Sequence, residues 1–439
     1  MKCETCQELI KAIDAYIAKE NDDMADELED AGYVEPDETM KDVEALEDDL
    51  AEAMNLDTEI VAEQLERADS LEEFMENTWE IYREASALAD DIQDIMQNGL
   101  TAVIPRLASK YIKTTDKGLV VTALRQRTTD WISSWSPELG RIMKLTSHDG
   151  IQSILTDALQ NGRSVADATR ALMDSGIRSN YSRARQTALT EMLTAHSVAN
   201  QEAYMQSPAV ESKEWRHTGA RRNKPRKNHV AMDGQVVLKS EPFELDGADG
   251  GSYKPMYPRD TKLPPGERIN CHCITSPVVS EDVLGLSLAE RKRLQAEAKA
   301  EDDRQWAVEL DEANRARSGN ETYRAPINTL LPNGNGGVLK PTRTATQTPG
   351  LTDKPNAVVE HKGSDGSVTR YYYDGEGKVI MRLDNSDHGQ PKAYPYGNGG
   401  AHYNRALYDD KGNFREWSEN RCITSKMRRL AKDIIHDTK

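Results

Sequence analysis

The chain has 439 residues, a net charge of −18, a hydrophobic content of 37% and a charged content of 30%. This length allows about two to four domains, each with its own core. No apolar run reaches the roughly eighteen residues that a membrane-spanning helix needs, so no such helix is predicted. Five cysteines are too few for a disulfide scaffold. A reducing compartment is therefore expected, in which a pair of cysteines binds a ligand more often than it forms a bridge.

The first 100 residues are strongly acidic. They contain 32 Asp and Glu against 6 Lys and Arg, a net charge of −26, which leaves about +8 for the rest of the chain. Apolar residues recur with helical periodicity, so residues 1–100 are predicted to be helical. Asp57–Thr58 and Asp69–Ser70 are the predicted helix N-caps. The acidic surface is either a solvated helical face or a docking surface for a basic partner.

The remaining segments differ in pattern. Residues 101–207 predict a helical arm with balanced charge. Residues 208–280, with short Val-rich runs and many Gly and Pro, predict a small α+β module. Residues 281–317 predict a charged helix, 318–357 a linker rich in Asn, Gly, Pro and Thr, and 358–439 a hairpin-based domain. The predicted fold class is mainly α with long helices in the N-terminal half, then the small α+β module and a separate small C-terminal α+β domain.

Cysteines and histidines concentrate in the small module, where the sequence ERINCHC ends at Cys273. A metal site is one interpretation, because zinc takes four nitrogen or sulfur donors. Its predicted ligands are His217, His229, Cys271 and Cys273, and zinc is the expected ion. The alternative is that two reduced thiols pack a turn. A redox pair is less favoured, because C-x-C lacks the helix N-terminus that lowers a thiol pKa.

Several separated motifs in this region occur in a recognisable order. They are Arg185, Thr190, Glu191 and Asn200 on one predicted helix, followed by Trp215, a basic stretch, His229, Gly234, Phe243, Asn270, Cys271 and Cys273. In this order they resemble the phage Mu F-like head morphogenesis family, which consists of minor head proteins of tailed bacteriophages. The resemblance covers residues of about 150–277 and leaves out the acidic N-terminus and the C-terminal domain.

This resemblance implies a function in the phage head. The protein is expected in the virion or procapsid, after a period in the host cytoplasm before assembly. Its implied partners are the portal protein and other procapsid components, with no membrane involved. It would act at the portal vertex in assembly, DNA packaging or DNA ejection, and the family fold implies no catalytic activity.

A basic segment in the same region is a candidate DNA-binding element. It contains Arg216, Arg221, Arg222, Lys224, Arg226 and Lys227 without any acidic residue. These side chains either neutralise phosphates of packaged phage DNA or form a solvated loop. Pro225 within the segment argues against a recognition helix, so sequence-specific readout is not expected.

The C-terminal domain holds the other group of candidate reactive residues. Asp384, Asp387 and His388 precede a Gly-Gln-Pro turn, and His402 follows a Gly-rich run. Two histidines with carboxylates can act as general acid and base or can hold a divalent metal. They can equally cap turns in a small binding module. The segment loosely resembles the tail domains of polymorphic bacterial toxins, which makes a nuclease-like toxin or effector activity, carried on a head-protein scaffold, the alternative function. Otherwise the protein is not expected to be an enzyme.

Overall fold

A computed structural model describes residues 20–218, 225–316, 323–324, 340–374, 376–388, 400–408, 413–418, 421–422, 431 and 433–434. The predicted fold class is confirmed: long helices occupy the N-terminal half, sheets lie in the C-terminal half, and the His and Cys cluster lies in a small module. No helix within the described ranges is long and apolar enough to cross a membrane.

The chain divides into two compact units. The first contains Met1–Asp49, Met96–Trp135 and Ser182–Ala316, and the second contains Leu50–Ile95, Ser136–Tyr181 and Arg317–Lys439. Each unit thus combines three separated chain segments. The segment boundaries that were predicted from composition, such as those at residues 208, 281 and 358, stay a prediction.

Residues 20–30 are helical, and the helices that follow them are α1 (Pro36–Glu66), α2 (Leu71–Asn77), α3 (Trp79–Ala85), α4 (Leu88–Thr115), α5 (Gln126–Gln160) and α6 (Val165–Gln206). The predicted cap at Ser70 is confirmed, since its hydroxyl accepts a hydrogen bond from the amide of Glu73 at 3.1 Å. The predicted cap at Asp57–Thr58 is wrong, because both residues lie inside α1. There the buried Asp57 carboxylate accepts hydrogen bonds from Tyr82 and Ser86.

The first unit continues with short elements, which are β1 (Val210–Arg216), α7 (Lys227–Ala231), β2 (Val236–Leu238), β3 (Leu245–Asp246), β4 (Ser252–Tyr253), α8 (Pro265–Arg268), β5 (Ile274–Val279), α9 (Glu281–Leu284) and α10 (Leu288–Ala316). β1 lies between β2 and β5 in an antiparallel sheet, and β3 pairs with β4. Trp215, Phe243 and Leu245 form a buried cluster with Cys271 and Cys273. The thiols therefore belong to the small core of this module.

The second unit contains a sheet built from β6 (Tyr323–Arg324), β7 (Arg343–Ala345), β8 (Val358–Lys362), β9 (Val368–Tyr373), β10 (Val379–Asp384), β11 (His402–Tyr408), β12 (Phe414–Trp417) and β13 (Arg421–Cys422). The main order is β12-β11-β10-β9-β8-β7, and both β6 and β13 also pair with β11. β9 and β10 form the predicted hairpin. β7 lies within the predicted linker and pairs in parallel with β8, so residues 343–345 are part of the sheet.

One face of this sheet shares a core with helices of the same unit. Tyr372, Met381 and Tyr403 cluster with Trp79 and Leu155, among other buried residues. Alternating apolar residues reveal only that a strand has a buried face. They do not reveal what covers that face, and here helical segments cover it.

Candidate metal centre

Two thiols and one imidazole meet in the core of the small module. His229 lies on α7, while Cys271 and Cys273 lie between α8 and β5. The Nδ1 atom of His229 is 3.5 Å from Sγ of Cys271 and 3.7 Å from Sγ of Cys273. All three residues are buried.

These distances fit a tetrahedral ion. With bonds of about 2.3 Å to sulfur and about 2.0 Å to nitrogen, neighbouring sulfur and nitrogen ligands are about 3.5 Å apart. The observed separations of 3.5 and 3.7 Å agree with this value, and the three donor atoms all lie within 4.8 Å of one another. The cluster can therefore hold a metal ion without a large rearrangement.

A buried carboxylate fixes the orientation of the imidazole. Oε2 of Glu267 lies 2.8 Å from Nε2 of His229. Because a carboxylate accepts, Nε2 carries the proton, and the lone pair of a neutral ring is then on Nδ1, facing the thiols. Burial alone would raise the pKa of Glu267, but hydrogen bonds from the amide of Ala248, from Asn228 and from His229 hold this pKa below its usual value. The carboxylate is thus available to accept from the imidazole.

The local electrostatics favour a thiolate. A hydrogen bond from Cys273 and the positive charge of Arg259 hold the pKa of Cys271 well below its usual value, although burial acts in the opposite direction. The same bond between the thiols, together with burial, raises the pKa of Cys273. A thiolate is the form of cysteine that binds metals, so the surroundings of Cys271 favour its metal-binding form.

Two buried side chains fix the main chain that carries the cysteines. The guanidinium of Arg259, which is 1% exposed, donates to the carbonyl oxygens of Cys271 at 2.6 Å and Cys273 at 3.0 Å. It also donates to the hydroxyl of Ser197 on α6 at 2.6 Å. The hydroxyl of Tyr33 donates at 3.1 Å to the carbonyl oxygens of His272 and Cys273. The cysteine segment is therefore connected to α6 through Arg259 and to the loop before α1 through Tyr33.

Other motif residues connect α6 with the same module. Glu191 on α6 accepts from Arg268 at 3.1 Å and from the indole of Trp135 at 2.8 Å. The amide of Asn200 donates to the carbonyl of Thr275 at 2.9 Å. Motifs that are far apart in sequence thus form one structure with the cysteine segment.

His217, the predicted fourth ligand, follows directly after β1. His217 is half-buried, its main-chain amide donates to Asp233 at 2.8 Å, and it is not one of the three residues whose donor atoms cluster. Its role as a ligand stays a prediction. His272 is not one of the three clustered residues either. Its carbonyl accepts a hydrogen bond from Tyr33, and its Nε2 is buried without a hydrogen bond.

The described residues of the basic segment differ in their exposure to solvent. Arg216 and Lys227 are exposed. Arg226 is half-buried and donates to the main-chain carbonyl of Ile269, so it helps to hold the cysteine segment in place. The predicted residues Arg221, Arg222 and Lys224 lie outside the described residues. DNA binding by this segment stays a prediction.

Three of the four residues predicted as catalytic in the C-terminal domain lie close together. Donor atoms of Asp384, His388 and His402 lie within 4.8 Å of one another. The imidazole rings of His388 and His402 are 5.4 Å apart, and burial lowers the pKa of His402. Asp387 is half-buried and is not one of the three. A catalytic role for these residues stays a prediction.

Sequence reasoning missed the residues that orient the ligands. Glu267 begins the sequence ERINCHC, and Arg259 lies in the sequence YPRD at residues 257–260. Nothing in their spacing indicates a contact with His229 or with the cysteine carbonyls. The sequence signal for Glu267 was limited to an acidic residue four positions before Cys271.

The fold and the site together define a small α+β module that carries a buried cluster of Cys and His residues and is connected to long helices. Residues 149–276 match the model of the family described as Phage Mu protein F like protein, which confirms the resemblance. The C-terminal domain lies outside the match, and its resemblance to toxin domains stays a prediction.

The chain is also similar to a protein of Bacillus subtilis (strain 168) that is described as "Uncharacterized protein YqbB". The two are 42% identical over 201 residues, which is 46% of this chain and 65% of that relative. The chain thus spans slightly less than two thirds of the curated relative. No solved structure matches.

Proposed function

We propose that the protein is a minor head protein of a tailed bacteriophage that acts in head morphogenesis at the portal vertex. The observation that carries the proposal is the family match over residues 149–276. Its separated motifs also contact one another, since Glu191 on α6 pairs with Arg268 next to the cysteine segment. Motif residues that also contact one another in the fold support the proposal more strongly than the same number of motif residues without mutual contacts would.

The proposed partners are the portal protein, other procapsid components and packaged phage DNA, and the proposed location is the procapsid and virion. The acidic N-terminal region supports a basic docking partner, because 32 acidic residues against 6 basic ones create a strong negative field. At physiological ionic strength the Debye length is about 8 Å, so such docking weakens as salt rises.

Incorporation into particles tests this proposal. The full chain is tagged in the phage that encodes it, and procapsids and virions are purified and quantified by mass spectrometry. We expect the protein in both, cross-linked to the portal protein. Its absence from both particles would contradict the head assignment.

A charge variant tests the docking surface. Asp48 and Glu59 are exposed on α1, and their change to Asn and Gln removes two charges without altering the core. We expect lower incorporation from this variant. The matched control is Glu297→Gln with Glu301→Gln on α10, where both residues are also exposed. Equal incorporation of the two double variants would show that the acidic helix is a solvated face.

We also propose zinc as the ion of the cluster formed by His229, Cys271 and Cys273. Two sulfur donors and one imidazole are the ligand types that structural zinc sites use. Elemental analysis of the full chain should find zinc, and Cys271→Ala should lower the zinc content by the ion that this cluster holds. His217→Ala tests the predicted fourth ligand and should weaken zinc binding if that side chain completes the site. Zinc content that is unchanged in Cys271→Ala would refute the site.

A second candidate function is a nuclease-like activity of the C-terminal domain. The specific observation in its favour is the 5.4 Å separation of the His388 and His402 rings, beside the Asp384 carboxylate. Expression of the full chain in bacteria should then degrade nucleic acid, and His388→Ala should abolish the effect. Equal degradation by the variant would assign the activity to a contaminant.

A further inference from the structure

Three neighbouring strands place polar side chains in one row across the C-terminal sheet. In the antiparallel pairing, Asp384 on β10 lies opposite Thr369 on β9 and opposite His402 on β11. Directly paired residues have side chains on the same face of a sheet. Asp384 and His402 are 6% and 2% exposed, so this row is largely removed from water.

The hydrogen bonds in the row define which atoms face each other. The hydroxyl of Thr369 donates to Oδ1 of Asp384. Nδ1 of His402 lies 3.0 Å from the carbonyl oxygen of Gly400, and because a carbonyl accepts, Nδ1 carries the proton. In the neutral ring the lone pair is then on Nε2, which lies 3.7 Å from Oδ2 of Asp384. A metal ion, or a second proton on the imidazole, between these two atoms would satisfy both lone pairs.

A third donor converges on the same point. His388 follows β10 with φ of 52°, a left-handed conformation that is uncommon outside glycine. It brings its ring to 5.4 Å from that of His402, at an angle of 74°. One donor atom from each of Asp384, His388 and His402 lies within 4.8 Å of the other two. Backbone strain that directs a second imidazole toward the pair is typical of a functional site.

Gly400 makes this arrangement possible. Its φ is +81°, and a Cβ at this position would lie 2.1 Å from Cβ of Asp387. Only glycine allows the chain to pass this close to Asp387 and still present its carbonyl to His402. The carbonyl that fixes the tautomer of His402 thus depends on the absence of a side chain.

We propose that Asp384, His388 and His402 bind one divalent transition-metal ion of the class of Zn²⁺, Co²⁺ or Ni²⁺. Imidazole and carboxylate donors suit these ions. Ligands at about 2.1 Å from a tetrahedral ion are about 3.4 Å apart, close to the 3.7 Å between Nε2 of His402 and Oδ2 of Asp384. Thr369 and the Gly400 carbonyl orient two of the ligands. His388 is exposed, so water has access to the ion on that side.

Cobalt binding to the full chain tests the proposal. The purified protein is stripped with chelator and titrated with Co²⁺. Cobalt bound to thiolate gives an intense near-ultraviolet charge-transfer band, whereas cobalt bound only by imidazole and carboxylate gives weak visible bands. The charge-transfer band therefore reports the Cys and His cluster, and cobalt bound beyond the amount that this band accounts for reports the proposed site. Metal content is measured independently of any nuclease activity or head function.

We expect His388→Ala to weaken the thiolate-free component by at least about tenfold, the lower range for disturbing a metal site. The charge-transfer band should not change. Asp384→Asn, which keeps the side-chain size, should act in the same direction and guards against a folding defect. The control is His361→Ala on β8, since His361 belongs to the same sheet but not to the cluster. Absence of thiolate-free binding, as expected if only a proton bridges His402 and Asp384, would overturn the proposal. So would equal binding by wild type and both variants, or an equal loss in His361→Ala.

Discussion

His196 is expected to make the first unit sensitive to acid. The residue lies on α6, is 1% exposed, and is 2.8 Å from the hydroxyls of both Thr39 and Tyr111. Burial lowers the pKa of His196 from 6.5 to about 3, and the positive charges of Arg259 and Arg106 act in the same direction. Above about pH 3 the folded protein therefore keeps this imidazole neutral, whereas the unfolded chain already becomes charged near pH 6.5.

The sign and size of the effect follow from the two pKa values. A histidine whose pKa is depressed on folding stabilises the fold above the unfolded pKa, and this stability is lost as pH falls toward the folded pKa. At pH 5 an unfolded imidazole with a pKa of about 6.5 is mostly protonated, which favours unfolding by about 2 kcal/mol. The loss starts near pH 6.5 and grows until about pH 3.

Protonation of His196 would also affect the candidate metal centre. The ring of Tyr33 contacts that of His196 edge to face at a centroid distance of 5.1 Å, and its hydroxyl donates to the carbonyls of His272 and Cys273. A charged imidazole at this position would disturb the side chain that holds the cysteine segment.

Urea denaturation at pH 7.5 and pH 5.0 measures this contribution. His196→Gln, which can still hydrogen-bond both hydroxyls, should lose about 2 kcal/mol less stability between these pH values than the wild type. Comparison of the two proteins cancels the contribution of all other titrating groups and of metal release. The same pH dependence in both would refute the assignment of the neutral state to His196.

Three further changes test the packing around the sites. Glu267→Gln should weaken metal binding at the Cys and His cluster by about 10–100-fold, measured by competition with a chromophoric chelator, because the amide orients the imidazole less strongly. Glu191→Ala should lower the unfolding free energy by about 3–5 kcal/mol, since it leaves the largely buried Arg268 without its carboxylate; urea denaturation measures this, and a cost below about 1 kcal/mol would contradict it. Gly140→Ala should cost about 1–3 kcal/mol in the same assay, because a Cβ there would lie 2.3 Å from the carbonyl oxygen of Ala89; unchanged stability would show that the helices separate freely.

Local pattern was sufficient for some features of this protein. Helical periodicity predicted the long helices, and the hydroxyl of Ser70 next to Leu71 predicted a helix start. The same reasoning failed at Asp57, because an acid followed by a threonine has the sequence of a cap whether or not the helix continues through it. Its buried partners Tyr82 and His148 come from other parts of the chain. Such long-range pairing has no local signal.

The candidate metal centre also combines features that have a local sequence signal with contacts that depend on the fold. Residue type and spacing identified His229, Cys271 and Cys273, since soft donors in a short module are informative by themselves. The contact between Glu267 and His229 depends on the fold, because 38 residues separate them in sequence. In the C-terminal sheet, the candidate residues were identifiable, but the direct pairing of Asp384 with His402 depends on strand register. Register is a property of two strands together and cannot be obtained from either one.

The two clusters differ in a way that predicts different roles for a bound ion. His229, Cys271 and Cys273 are all buried, and their main chain is fixed by Arg259 and Tyr33. Structural metal sites are closed in this manner, whereas reactive ones keep a position open to solvent. The C-terminal cluster has the second character, since His388 is exposed beside two buried ligands. An ion in the first cluster should therefore exchange slowly and raise the unfolding temperature, and an ion in the second should exchange rapidly. Isotope exchange with ⁶⁵Zn, followed in the wild type and in His388→Ala, measures this difference, and a single slow phase for both ions would contradict it.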